Sequence, residues 1–439
     1  MIGVSLTTPD KIRDLQNKLY RKAKNEPGYR FHQLYDKVYR EDILQHAYRL
    51  AKANDGAPGV DGESFEDIES KGREEWLTGL RKDLHDKTYR AQPVKRKKIP
   101  KPDGGERLLG IPTIRDRVAQ TAAKLILEAI WEAELEPNAY GYRPGKSAQG
   151  AIEEVNELLH QGYTNIVDAD LSKYFDTIPH SELMKCVARR IVDRQMLHLI
   201  KMWLEAPVEE RDEKTGKSRW TGGKGNDRGT PQGGVISPLL ANLYMNRMLK
   251  GWKQTGRTAQ FRAHIVNYAD DFVIACRGNA AAVLEWTRGA VERMGLTLNE
   301  KKTSIRNARK ERFEFLGYSF GPHYSRKTGR EHMGASPSLE SESRIKQDVS
   351  KLLDRRTVEP WEKIRDQLNQ KLKGWKNYFN FGSTSRVYHN VDEHVYDRVR
   401  NFLRRRHKVS SQGTRQFPSS RVYGELGVVR LYKPYRPRS

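Results

Sequence analysis

His264-Ile265-Val266-Asn267-Tyr268-Ala269-Asp270-Asp271-Phe272-Val273-Ile274-Ala275-Cys276 is the stretch on which the reading turns. Two apolar, β-prone runs, His264 to Tyr268 and Phe272 to Cys276, flank Ala269-Asp270-Asp271, and this predicts a hairpin with acids at its tip. A second acidic pair, Asp168-Ala169-Asp170, closes a short strand expected over Asn165 to Asp170. Crowded carboxylates repel, so such a cluster is usually neutralised by divalent cations or by Lys and Arg. If the strands are neighbours in one sheet, Asp170 and Asp270 share two Mg²⁺ ions about 3.5 to 4 Å apart, the arrangement that stabilises the attacking and leaving oxygens of phosphoryl transfer. Taken singly, each pair has a plain alternative, because Asp-Asp in a turn is ordinary turn chemistry.

Working outward, Ser237-Pro238 reads as an N-cap followed by Pro at the first helical position, opening a helix through Leu240, Leu243 and Met248. Helical periodicity is clearest after residue 340. Trp361, Ile364, Leu368, Leu372, Trp375 and Phe379 form one apolar stripe, and Val387, Val391, Val395, Val399 and Leu403 another. A shorter stripe is Ile345, Val349, Leu352. These read as a small helical bundle, and the Gly/Ser/Pro-rich stretch from Gly321 to Ser338 reads as the boundary before it.

The chain has 439 residues, with 80 Lys and Arg against 56 Asp and Glu, a net charge of +24. That charge points to a polyanionic partner, either nucleic acid or an anionic membrane. A mean hydropathy of −0.83 argues against a membrane, as does the lack of a long apolar run or a signal-like start. Two cysteines, Cys186 and Cys276, exclude a disulfide framework and a four-cysteine zinc site, so a reducing cytoplasm is expected. From Lys371 to Ser439 there are 16 Lys and Arg against 4 Asp and Glu, half of the net charge, interleaved with aromatics. A solvated surface is the bland reading. Rings beside cations suit stacking and backbone contact with RNA, which is the reading preferred.

Three ordered motifs decide between these readings: Val167-Asp168-Ala169-Asp170-Leu171-Ser172-Lys173-Tyr174-Phe175-Asp176, then Gly229-Thr230-Pro231-Gln232-Gly233-Gly234, then Tyr268-Ala269-Asp270-Asp271. Their order and spacing resemble the palm motifs of reverse transcriptases. Ala139-Tyr140-Gly141-Tyr142-Arg143-Pro144-Gly145-Lys146-Ser147-Ala148, the stretch Lys52 to Gly62 and Phe315-Leu316-Gly317-Tyr318 look like bacterial group II intron reverse transcriptases, also called maturases. The resemblance runs from about residue 45 to the C-terminus and is specific because several motifs keep their order.

The resemblance implies an α+β right-hand polymerase. Residues 1–44 would form an N-terminal helical extension, 45–325 the fingers and palm, 326–405 the helical thumb or maturase domain, and 406–439 a basic tail. Asp170, Asp270 and Asp271 would bind two Mg²⁺, with the carbonyl of Leu171 as an extra ligand. Phe175 would screen the sugar 2′-position, and Gln232 would pack against the incoming deoxynucleoside triphosphate. Lys101 and Arg107, in a fingers hairpin, would hold the triphosphate, and Lys302 would protonate the leaving pyrophosphate. A triphosphate brings more negative charge than two metals balance, so cations at those places make physical sense. Trp375 is assigned to packing, and RNA contact to Lys371, Lys373, Lys376, Arg404, Arg405 and Arg406. The implied partners are group II intron RNA, an RNA template with DNA primer, and target DNA, with no membrane and a cytoplasmic, nucleoid-associated address. Many relatives end in a zinc-supported endonuclease for which this chain has neither cysteines nor length, so an outside source of primer is expected. Two other readings are a splicing helper with a retired polymerase and a reverse transcriptase recruited to host defence or DNA repair. Intact Asp170, Asp270 and Asp271 argue against the first of these. An RNA-copying RNA polymerase is a further option, against which Phe175 speaks. The sequence assigns no oligomeric state.

Overall fold

Buried and half-buried residues along Asn165–Asp170 and near-continuous burial along Asp271–Cys276 mark the two central strands of one sheet, and the chain is built around that pair. In the computed structural model the described residues are 6–100, 105–211, 215, 217–223, 225–324 and 329–432. In chain order the strands are β1 (Val94–Pro100), β2 (Glu106–Ile111), β3 (Asn165–Asp170), β4 (Pro207–Arg211), β5 (Ser218–Gly222), β6 (Ala263–Tyr268), β7 (Asp271–Cys276), β8 (Ser304–Asn307), β9 (Phe313–Phe315), β10 (Tyr318–Tyr324) and β11 (Glu331–Pro337). They form three sheets, ordered β2-β1-β4-β5, β6-β7-β3-β8 and β11-β10-β9, set among helices in an α+β fold. The central palm sheet is antiparallel throughout.

One face of the palm sheet enters the largest core, with Val167, Ala169, Ile265, Phe272 and Ile274 against the buried helices Ile114–Glu132 and Ser237–Gln254. The other face, through Ile166, Val266 and Val273, meets the helix Ala148–His160 and the β9–β11 sheet. The helices Leu339–Leu352, Trp361–Tyr378 and Ser385–Arg406 make a separate bundle core along the expected stripes. Trp375 and Phe379 lie where that bundle meets the palm, their rings 4.9 Å apart. Among the described residues no helix is long and apolar enough to cross a membrane.

Three local expectations change. The Gly321–Ser338 stretch is mostly strand: β10 and β11 pair from Tyr318↔Pro337 to Tyr324↔Glu331 and bury Phe320 and Ala335. Its small residues allow close packing, as at Gly321, where an added Cβ would meet Arg312. The helix expected to start after a Ser237 cap takes Ser237 as its first residue, with Ile236 before it and no side-chain cap. Beyond Arg406 the chain packs back on the bundle, burying Phe417, Val422, Val428 and Leu431. At the other end, the helix Asp10–Asn25 buries Ile12, Leu19 and Ala23 in the main core. Buried Arg190 fastens the C-terminal end of that helix by donating to the carbonyls of Ala23, Glu26 and Pro27. Asp193 accepts from the amides of Leu34 and Tyr35, both at 2.8 Å.

Candidate active site at the palm turn

Register places the acids. Asp170, the last residue of β3, stands opposite Asp271, the first of β7, and Tyr268 of β6 stands opposite Asp271 on its other side. Asp270 lies in the two-residue turn between, beside Ala269, whose φ of +59° is left-handed. For a residue with a Cβ this costs about 1–2 kcal/mol, and neighbours hold it. Buried Asn267 donates from Nδ2 to the carbonyl of Ala269 at 2.8 Å. Gly141 packs so closely that an added Cβ would come within 2.5 Å of the Ala269 nitrogen.

The electrostatics are those of crowded like charges. Asp271 is exposed, yet the protein around its carboxyl, and then the charges of Asp270, Asp170 and Asp168, push its pKa to about 7, with Lys302 acting in the opposite direction. Burial, followed among the raising causes by Asp170, lifts Asp168 to about 6, against the pull of Arg306. Asp170 is tied down more firmly. Asn299 donates to its carboxylate from Nδ2 at 2.9 Å and to its carbonyl from the backbone at 2.8 Å, and Lys302 Nζ is 4.0 Å from Oδ2. Leu171 is buried and bridges to Leu298. Among the described residues, no three His, Cys, Asp or Glu side chains are gathered closely enough to hold a metal ion as they stand. The donor set is nevertheless of hard oxygens whose mutual repulsion a divalent cation would relieve.

The Gly229–Gly234 stretch is tied to the segment that follows β3 and to β2. The carbonyl of Phe175 accepts from the amide of Thr230 at 2.6 Å, and the carbonyl of Ile178 from Gly229 at 2.8 Å. Gln232 Nε2 donates to Asp176 Oδ2 at 3.2 Å, and its carbonyl accepts from Gly110 of β2 at 2.5 Å. Gly233, at φ +109°, has no room for a side chain, since a Cβ would lie 2.4 Å from the Gly110 carbonyl. Buried Gln120 takes the amides of Val235 and Ile236 at 2.8 and 3.4 Å and holds the end of this turn. Phe175 is half-buried and packs against the main core, its ring 5.7 Å from Tyr174. Arg107 is exposed on β2 opposite Ile99. Lys101 lies outside the described residues.

On the bundle, Lys371, Lys373 and Arg405 are exposed. Lys376 is turned inward, its Nζ donating to the carbonyl of Leu431 at 2.8 Å, because the returning C-terminal segment covers it. Arg404 and Arg406 donate to the carbonyls of Ser411 and Glu359, at 3.3 and 2.7 Å. Lys376 and Arg404 are half-buried, and Arg406 stays exposed. Reading the sequence missed Asn267, Asn299, Gln120 and Gly141. The first three are isolated polar residues with no periodic signature, and only the glycine, inside the Ala139–Ala148 motif, carried a signal.

The family model described as "Reverse transcriptase (RNA-dependent DNA polymerase)" matches residues 99–320. That described as "Group II intron, maturase-specific domain" matches residues 343–418. The chain is 35% identical over 344 residues to Protein YkfC of Escherichia coli K12, covering 70% of this chain and 87% of that one. It is 34% identical over 223 residues to the group II intron-encoded protein LtrA of Lactococcus lactis, covering 50% of this chain and 35% of LtrA, so the match spans about a third of that protein. A telomerase structure from Candida tropicalis aligns with a TM-score of 0.41 at 14% identity, over 80% of this chain and 68% of that one.

Proposed function

We propose, because the chain belongs to the reverse transcriptase family and carries a group II intron maturase-specific domain, that the palm turn is its catalytic centre and the bundle its RNA-holding surface. RNA-directed DNA synthesis, with service to an intron's splicing and mobility, is the function these two domains bring. The observation that carries the catalytic assignment is the register Asp170↔Asp271 with Asp270 in the adjoining turn.

In this reading Asp170, Asp270, Asp271 and the Leu171 carbonyl would hold two Mg²⁺, which would supply charge stabilisation at the attacking and leaving oxygens. Phe175 and Gln232, joined through the Thr230 and Asp176 bonds, line the deoxynucleotide. Arg107 and Lys101 receive its triphosphate. Lys302, kept near Asp170 and close after Asn299 in the same loop, gives a proton to departing pyrophosphate. The primer 3′-hydroxyl attacks the α-phosphate, one P–O bond forming as the bond to pyrophosphate breaks. Lys371, Lys373 and Arg405 contact RNA phosphates, and residues 406–432, packed on the bundle, work with it. Intron RNA, template–primer and target DNA are the partners, at the nucleoid.

Primer extension on an RNA template, wild type against Asp270→Ala, tests the reading. Lost extension with splicing retained supports two separable functions; equal extension overturns the metal role.

A further inference from the structure

We propose that Tyr142 contacts the base pair at the primer 3′ end, presented by the same loop that buttresses the palm turn. This rests on the polymerase reading above.

The loop is fixed on both sides of Tyr142. Ala139 bridges Asn267, and the amide of Tyr140 donates to the Asn267 carbonyl at 2.8 Å. Asn242 Nδ2 holds the Gly141 carbonyl at 2.5 Å, while Gly141 lies against Ala269. Arg143 is buried and donates to Glu132 and to the carbonyls of Glu136 and Ala139. Between these anchors Tyr142 alone points outward, 51% exposed, on a left-handed backbone with φ +55°. Glycine is the residue that such a backbone favours, and an exposed ring returns little burial for the strain. The fold therefore gives no internal reason for an aromatic here.

Its surroundings supply one. The ring lies 6.5 Å from that of Tyr268, tilted by 40°, along the β6 edge of the turn. The Tyr142 phenol hydroxyl is a hydrogen-bond donor at neutral pH, as tyrosine ordinarily is. A primer whose 3′-hydroxyl reaches the turn must set its last base pair over it. Phe175 and Gln232 already line the nucleotide side. Tyr142 and Tyr268 stand together at the β6 side of the turn, where a flat ring bearing a donor suits sequence-independent contact with sugar and base edges.

The test uses the full chain, an RNA template annealed to a DNA primer, and Tyr142→Gly, which suits the left-handed backbone and preserves folding, beside Tyr142→Phe. Tyr142→Gly should keep or raise the melting midpoint, and it should raise KM for template–primer about ten-fold, the size of one lost stacking contact. KM for deoxynucleotide should stay near wild type, and Tyr142→Phe should retain most of the affinity. An unchanged template–primer KM in Tyr142→Gly, or a shift confined to the deoxynucleotide KM, overturns the proposal. If the wild-type chain extends no primer, the polymerase reading fails by itself, and template–primer affinity by fluorescence anisotropy still decides the role of Tyr142.

Discussion

Asp392 in the helical bundle is buried and Asp271 at the palm turn is exposed, and the groups acting on the two carboxyls differ as well. Asp392 is 3% exposed and accepts from the amides of Leu431 and Tyr432 at 2.9 and 2.8 Å, with Arg430 at 4.0 Å. Burial raises its pKa, and those amides and Arg430 pull the other way. Asp271 is acted on by three further acids, with Lys302 set against them. A carboxylate given its donors is part of the architecture, whereas one surrounded by its own kind marks a candidate functional site.

The largest expected effect comes from breaking the functional side. Asp270→Asn should lower primer extension by about three orders of magnitude or more, the scale of losing one aimed electrostatic group at a transition state, while thermal melting stays near wild type. Retained extension would place the chemistry elsewhere. On the structural side, Asp392→Ala leaves two buried amides unpaired and should cost about 2–4 kcal/mol. The loss should show as faster hydrogen exchange and proteolysis of residues 424–432, with no direct effect on nucleotide KM. Unchanged protection of that segment would mean that the buried Val428 and Leu431 hold it without the acid.

Asp116 sharpens the contrast as an intermediate case. It accepts from the Tyr89 hydroxyl and from the Gln92 amide at 3.0 Å, yet burial raises its pKa to about 6. The folded state thus keeps a proton that the unfolded chain gives up near pH 4. Stability from this group is fully present below that pH and is lost as pH rises towards 6, at up to about 1 kcal/mol per pH unit. Denaturant melts of wild type and Asp116→Asn from pH 4 to 7 check it: the wild type should fall relative to the variant across that window and run parallel above it. The smallest effect is expected at Asp271→Asn. Removing one of several repelling charges should stabilise the palm by about 1 kcal/mol or less in chelator, and a destabilised variant would show that the acids are not in conflict.

The hairpin β6–β7 and strand β3 were legible because alternation and turn chemistry are local, and the stripes from Trp361 to Leu403 were legible for the same reason. The β10–β11 hairpin was not, since Gly321, Gly334 and the serines around them resemble linker residues until their partners are seen. Nor was the inward turn of Lys376, because a lysine on a helix gives no sign of which segment will return to cover it. Asn299 and Asn267 became visible only as donors to Asp170 and Ala269.

By itself the sequence determined which residue types were present, in what order, and the periodicity that makes each short stretch helix or strand. Only the tertiary structure decided that Asp170 stands beside Asp271, 101 positions away, that Gly141 braces Ala269, and that Tyr142 stays exposed at that edge. The physical reason is range: backbone propensity and side-chain alternation act over a few residues, whereas strand register and the meeting of charges come from burying one face of a sheet, which no local pattern specifies.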